Sequence, residues 1–317
     1  MGGPLTSFIY SSKLRSLRYI ALTVLLSITF ICILDRWIPS SFKPIPELKH
    51  MVLKNDQTYL QYNDVSLDNY VFLYGMYDTI KEVKQADVLL LGSSRLGYAL
   101  QDKNMQNFDF RPYVMAFGNE EMDLFPMKII RKFDLHPKLF VINVDEFFEN
   151  NMSKYSQKVV KEGLFSAYRT LFEYTASTLL QNEMHQHITY FAPFFTHRPE
   201  TILVRSKING TWHFLKQPQQ VQSLTIPSDS LPTAEQLQQA QTIVTELKNK
   251  GSEVVFVLVP NPKTPIGWAT ELARQLGVPF WPYSFEGVQL RDPSHISEEE
   301  GEKFTSFLMN HLEDYFK

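Results

Sequence analysis

Short apolar runs alternate with amphipathic stretches over much of this chain. Segments 86–92, 114–117, 139–145 and 253–260 are almost continuously apolar, and a shorter run follows at 278–281. Runs of this length without a polar face are typical of strands that are buried on both sides of a parallel sheet. Because helical stretches separate them, the pattern predicts an α/β fold in which helices cover a parallel sheet.

Two of the helices have clear start signals. Thr233 is placed to be an N-cap and Gln236 to complete a capping box, and the helix is expected to run to Lys250 and stop at Gly251. The last helix is expected to begin at Ser297 and to continue to the end of the chain. Parallel sheets bind ligands outside the carboxyl ends of their strands, so the residues after each strand are the candidates for function.

One apolar run lies outside this alternation. Residues 19–34 contain no charge, and with the residues up to 38 the run reaches about the twenty that a roughly 30 Å hydrocarbon core requires. Three basic residues precede it: Lys13, Arg15 and Arg18. The positive-inside rule then predicts a cytoplasmic tail over 1–17, a transmembrane anchor over 18–38 and an extracytoplasmic remainder.

Two other interpretations of the same run stay open. A cleaved signal peptide needs a small-x-small site after the apolar run, and the sequence there is Ile-Cys-Ile-Leu-Asp-Arg. A buried core helix is the second alternative, although the run is apolar all round. Cys32, the only cysteine, falls inside the run, so the exported part has no thiol.

The exported part is expected to have three regions. Pro39, Pro44 and Pro46 indicate an extended stalk over 39–85. The α/β domain is expected over 86–317. Residues 150–230 interrupt its alternation with many aromatic residues, which predicts a helical insertion or cap above the sheet. Its rings either pack the insertion itself or form a platform for sugar rings or a contact with the membrane surface.

Composition excludes several classes of protein. The chain has 317 residues, a formal net charge of −3 and 44% apolar residues, which excludes collagen-like, disulfide-framework and wholly disordered chains. The charge gives no reason to expect a nucleic-acid partner. There is no phosphate-binding or dinucleotide glycine motif, and Glu183, His185 and His187 are interpreted as a solvated face. We therefore expect no metal and no cofactor.

A serine follows the first strand of the domain, in the sequence Gly92-Ser93-Ser94. A hydroxyl between a strand end and a helix start is exposed at the ligand-binding edge. The helix N-terminus there offers backbone N–H groups to a developing oxyanion. The alternative is a serine that only caps the helix.

A second motif precedes the last helix. Asp292 and His295 are three residues apart on a loop. This spacing lets the carboxylate accept the imidazole Nδ1–H while Nε2 stays available to take a proton from a serine. The alternative is a histidine near a helix start beside a solvated aspartate. Together with a serine at a strand end, the motif points to a Ser-His-Asp arrangement.

These motifs resemble the SGNH (GDSL-type) hydrolase superfamily, particularly its membrane-anchored, exported bacterial members linked to acylation of cell-surface polymers. The Gly-Asp-Ser block of that family matches residues 92–94 with serine in place of aspartate, and its Asp-x-x-His block matches 292–295. The resemblance covers about residues 86–149 and 232–317. It implies a flavodoxin-like three-layer sandwich with Ser94 as nucleophile.

The oxyanion hole is matched only in part. The second family block implies Gly118 as a donor of a backbone N–H. The third block, Gly-x-Asn-Asp, is absent after the third strand, where Asn143 is displaced toward the strand interior and Asn119 or Asn150 are the other amides at hand. Loss of one oxyanion donor lowers turnover by roughly 100- to 1000-fold.

The resemblance thus predicts an extracytoplasmic serine esterase or O-acyltransferase at the bacterial inner (cytoplasmic) membrane. It would act on acyl esters of cell-envelope glycans. The expected partners are the membrane, an acylated glycan or lipid-linked acyl donor, and a polytopic membrane acyltransferase. One alternative is a catalytically impaired accessory or glycan-binding subunit of an envelope assembly. A further alternative is a lipase or thioesterase that acts on membrane lipids.

Overall fold

The computed structural model describes residues 59–62, 66–76, 79–118, 121–187, 202–215 and 221–317. The helices in these residues are α1 (Ser66–Tyr74), α2 (Thr79–Lys84), α3 (Ser94–Ala99), α4 (Leu124–Phe133), α5 (Lys154–His187), α6 (Ala234–Asn249), α7 (Ile266–Leu276) and α8 (Glu298–Phe316). The strands are β1 (Tyr59–Tyr62), β2 (Val88–Ser93), β3 (Pro112–Phe117), β4 (Leu139–Asn143), β5 (Ile202–Ser206), β6 (Trp212–Leu215), β7 (Gln222–Ser223), β8 (Glu253–Val257), β9 (Phe280–Trp281) and β10 (Gln289–Leu290).

The main sheet has five parallel strands in the order β3-β2-β4-β8-β9. Numbered along the chain within this sheet, the order is 2-1-3-4-5. Each of the five strands overlaps one of the apolar runs, so the predicted parallel α/β sheet is confirmed. The chain leaves β2 for β3 on one side and reaches β4 on the other, which makes the gap between β2 and β4 the switch point of the topology.

Both faces of the sheet are buried. Leu89 and Leu91 contribute to one apolar cluster, whereas Val88 and Leu90 contribute to the other. Helices α1, α2, α4, α5, α6 and α7 supply side chains to the first cluster, and α3 and α8 supply them to the second. Burial of such a side chain stabilises the fold by roughly 1.5–3 kcal/mol, so both helical layers are held by the sheet.

The two helix starts predicted from the sequence are confirmed. Thr233 Oγ1 accepts a hydrogen bond from the backbone N–H of Gln236, and Gln236 Oε1 accepts one from the backbone N–H of Thr233. Ser297 accepts a hydrogen bond from the backbone N–H of Glu300 at the start of α8.

The stalk expected over 39–85 needs a correction. Residues 66–84 contain α1 and α2, and Val71 and Phe72 are fully buried in the core. Phe72 packs its ring edge-on against Phe117 at 5.4 Å between centroids. The prolines that suggested an extended chain all precede residue 47, so they say nothing about this apolar stretch. The α/β fold therefore begins before residue 86.

The insertion expected over 150–230 is only partly helical. Helix α5 kinks at Gly163, and β5 and β6 form an antiparallel sheet with β1. Arg205 in β5 forms a buried ion pair with Asp68 and donates to the carbonyl oxygens of Val114 and Ala116 in β3. These contacts fasten the small sheet to the edge strand of the main sheet.

The predicted tail and anchor, residues 1–17 and 18–38, lie outside the described residues. Within the part of the chain that the structure describes, no helix combines the length and apolar character needed to cross a bilayer.

Candidate active site

Ser94 is the first residue of α3, directly after β2. The preceding residue, Ser93, is the N-cap of this helix, and its Oγ accepts the backbone N–H of Arg95 at 3.3 Å. The capping function, which was the alternative role for Ser94, is therefore taken by its neighbour. The hydroxyl of Ser94 is left to make a different contact at the carboxyl edge of the sheet.

That contact is with the loop before α8. Ser94 Oγ lies 3.0 Å from His295 Nε2, and His295 Nδ1 lies 2.9 Å from both carboxylate oxygens of Asp292. The structure thus brings together the three residues that the two motifs indicated. The side chains of His295 and Asp292 are 15% and 32% exposed, so the group is open to solvent at one side.

The electrostatics favour a charged Asp292. Its partial burial raises the pKa of the carboxyl, but the hydrogen bond and charge of His295 outweigh this effect, together with the backbone N–H groups of Ser294 and His295, and lower the pKa to about 2. An ionised carboxylate accepts the Nδ1–H of the imidazole. Nε2 then presents its lone pair to the Ser94 hydroxyl, as a general base must.

The imidazole is also held by a ring. Tyr98 in α3 packs against His295 with its ring tilted, at 4.1 Å between ring centroids and 35° between the planes. The guanidinium of Arg291 lies over the ring of Tyr98, 5.0 Å from its centroid. The loop itself is closed by a hydrogen bond from Arg291 N to His295 O at 2.9 Å. His295 is therefore fixed from its backbone and from its ring face.

Gly118 lies at the level of Ser94. Ser93 is in register with Phe117 across β2 and β3, so the next residues, Ser94 and Gly118, leave the sheet side by side. Neighbouring strands are about 4.8 Å apart, which brings the backbone of Gly118 near the nucleophile position. Its role as an oxyanion donor stays a prediction. Asn119 lies outside the described residues.

Asn143 makes its side-chain hydrogen bonds with residues at the carboxyl edge of the sheet. The register of β2 with β4 places Asn143 beside Gly92, two residues before Ser94. The side chain is fully buried; its Nδ2 donates to Asp145 at 2.9 Å, and its Oδ1 accepts the backbone N–H of Val259 at 2.9 Å. The bond with Val259 joins the end of β4 to the residues that follow β8, and the bond with Asp145 stays within the segment after β4, so this amide has a structural function. Asn150 is exposed in the loop after β4, in the left-handed region at φ 50°.

Three charged residues at this edge, Arg95, Asp145 and Glu146, were not singled out from the sequence. Arg95 Nη1 forms an ion pair with Asp145 and a second one with Glu146 at 3.1 Å. Burial lowers the pKa of Arg95, but the charges of the two carboxylates raise it above its ordinary value. The signal in the sequence is a pair of opposite charges, Arg95 and Asp145, each two residues after the end of a strand. Tyr98 was missed as well, and no local signal marks it.

The described residues offer little to a metal ion. Among them, no group of three or more histidine, cysteine, aspartate or glutamate side chains is placed to hold one. Glu183, His185 and His187 lie near the end of α5.

No family model, no curated protein sequence and no solved structure matches this chain. Support for a function therefore comes from the fold, from the geometry of the site and from the resemblance of the short motifs.

Proposed function

We propose that the protein is a membrane-anchored, extracytoplasmic serine esterase or O-acyltransferase of the SGNH type that acts on acyl esters of cell-envelope glycans. The hydrogen-bonded series Ser94–His295–Asp292 at the carboxyl edge of the sheet is the observation that carries the proposal. The strand order 2-1-3-4-5 is that of flavodoxin-like sheets, which supports the fold that the SGNH resemblance implies.

In the proposed reaction, Ser94 Oγ attacks the acyl carbonyl while His295 Nε2 takes the hydroxyl proton. Asp292 stabilises the imidazolium that forms. The tetrahedral oxyanion is stabilised by the backbone N–H groups of Ser94 and Gly118. His295 then gives the proton to the departing alcohol, which leaves an acyl-serine. Water or a sugar hydroxyl attacks this ester, with His295 again as base, and Ser94 is regenerated.

The envelope location rests on the sequence. The predicted anchor over 18–38 would tether the domain outside a bacterial cytoplasmic membrane, where acylated glycans and lipid-linked acyl donors are present. If the acceptor is a sugar, a polytopic membrane protein that supplies the acyl group would be the partner.

A fluorophosphonate probe tests the proposal, because it labels only an activated serine. The full-length chain and Ser252→Ala should be labelled, since Ser252 is a buried serine at the opposite edge of the sheet, bonded to the carbonyl of Pro137. Ser94→Ala should not be labelled, and His295→Ala should lose most of the labelling. Absence of labelling in the wild type, under conditions where an active esterase is labelled, would refute the catalytic proposal.

One observation favours a second candidate, a non-catalytic glycan-binding or accessory subunit. The amide expected in the third block is absent, and Asn143 is engaged within the sheet edge. Wild-type protein that stays unlabelled yet binds acylated glycan would support this candidate. Turnover of short acetyl esters against long-chain esters separates glycan acylation from a lipase or thioesterase activity.

A further inference from the structure

One carboxylate contacts both chain neighbours of Ser94. The hydroxyl of Ser93 donates to Asp145 Oδ2 at 3.3 Å, and Arg95 forms its ion pair with Asp145 Oδ1. Asp145 is 2% exposed and Arg95 is 7% exposed, so water does not compete for these bonds. The side chains on the two sides of Ser94 in the chain are therefore bonded to the same buried carboxylate.

Asp145 stands at the switch point of the sheet. Leu91 is in register with Ile142, and Asp145, three residues after Ile142, contacts the side chains of Ser93 and Arg95 on either side of Ser94. Ligands of doubly wound sheets bind at this crevice. The ion pair thus spans the gap between the end of β2 and the end of β4, where the expected Gly-x-Asn-Asp block is absent.

Glu146 adds support to the pair from a strained conformation. Its φ is 47°, in the left-handed region that glutamate seldom adopts. Its carboxylate lies 3.1 Å from Arg95 Nη1 and 3.4 Å from Lys263 Nζ. Strained residues persist where surrounding contacts hold them, and they cluster at functional sites. In this conformation the carboxylate of Glu146 is a second acceptor for the buried guanidinium of Arg95.

Stability alone is a weak reason for this arrangement. A buried ion pair is often no more stabilising than apolar residues of the same size, because both charges lose their hydration. What the pair does provide is a fixed geometry for residues 93–95. The backbone N–H and the hydroxyl of Ser94 are directed by that turn.

We infer that Arg95 and Asp145 are positioning residues for Ser94. This inference rests on the proposed function. The pair holds the turn so that Ser94 Oγ meets His295 and Ser94 N–H points to the oxyanion. Because neither side chain contacts the acyl group in this arrangement, their loss should lower kcat and leave KM nearly unchanged.

The test uses the full-length chain and a double variant, Arg95→Met/Asp145→Leu, which removes both charges and leaves none buried without a partner. For hydrolysis of 4-nitrophenyl acetate we expect kcat to fall by about 10- to 100-fold, as a misplacement of about 1 Å does. The rate of fluorophosphonate labelling should fall by the same factor, and Arg95→Lys should be intermediate. Leu247→Ala is the control for lost stability, because Leu247 is fully buried near the amino edge of β8.

Hydrogen exchange at the backbone amides of residues 92–97 provides a readout that does not need activity. Exchange there should accelerate in the double variant and stay at the wild-type rate in Leu247→Ala. A double variant with wild-type kcat and wild-type exchange would overturn the inference, as would an equal loss of kcat in Leu247→Ala. If the wild type itself is not labelled, the proposed function fails, and unchanged exchange in the double variant would separately show that the pair does not hold the turn.

Discussion

Gly97, in the middle of α3, lies against the indole of Trp212 in β6. A Cβ added at Gly97 would lie 2.7 Å from Trp212 Cε3 and 2.8 Å from Cδ2. Trp212 is buried and packs edge-on against Tyr98, at 6.2 Å between ring centroids. The substitution Gly97→Ala therefore tests whether this close approach between α3 and the insertion exists.

Two effects of Gly97→Ala oppose each other. Alanine is favoured over glycine in a helix interior by about 1 kcal/mol. Carbon atoms at ordinary contact are about 3.5–4.0 Å apart, so the new methyl group overlaps the indole by roughly 1 Å. Overpacking of this kind costs typically about 1–3 kcal/mol. We expect the overlap to prevail, with a net loss of up to about 2 kcal/mol in the free energy of unfolding.

Urea denaturation of the purified full-length chain measures this difference. The same substitution in a Trp212→Phe background should be neutral or stabilising, because the smaller ring leaves room for the methyl group. The labelling rate at Ser94 should fall in Gly97→Ala, since a displaced α3 moves Ser94, the proposed nucleophile, away from His295. Stabilisation by about 1 kcal/mol in the wild-type background would refute the reasoning, because helix propensity would then be the only effect present.

Further predictions concern charged groups. Asp292→Asn should lower kcat for ester hydrolysis by as much as about 10⁴-fold, because an amide does not hold the Nδ1–H tautomer of His295; a loss below tenfold in steady-state assays would count against the assigned role. Since the folded pKa of Asp292 is about 2, below its ordinary 3.8, its stabilising contribution is present above pH 3.8 and is lost as the pH falls through 2. In urea denaturation, the free energy of unfolding of Asp292→Asn should therefore depend less on pH over this range than that of the wild type. The same pH dependence in both proteins would contradict this prediction. Asp68→Ala should cost about 3–5 kcal/mol in urea denaturation, because it leaves Arg205 buried without its carboxylate; a cost below about 1 kcal/mol would contradict that view.

Features that depend on a few neighbouring residues were predictable from the sequence. The capping box of Thr233 and Gln236 needs residues three apart. The hydrogen bond of Asp292 with His295 has the same spacing. Buried parallel strands are apolar on both faces, so their positions follow from composition alone. These local rules account for the main sheet and for the Asp292–His295 part of the candidate site.

Features that join distant segments were not predictable in the same way. Arg95 and Asp145 are 50 residues apart, and Asp68 and Arg205 are 137 apart. A charge in a sequence is usually solvated, and only the tertiary contact shows that these four are buried. The core helices α1 and α2 were missed because the prolines before them suggested an extended stalk.

The distance between Ser94 and His295, 201 residues apart in the chain, is set by contacts outside the reacting groups. At the far end of α3, Thr305 Oγ1 in α8 donates to the carbonyl of Ala99 at 3.1 Å, and Gly301 lets α8 approach, since a Cβ there would lie 3.1 Å from the same oxygen. The six-residue helix α3 is thus held at its start by the Arg95–Asp145 pair, in its middle by Trp212 and at its end by α8. Since a displacement of about 1 Å can cost 100-fold in rate, each of these contacts is a place where a substitution away from the chemistry should reduce turnover.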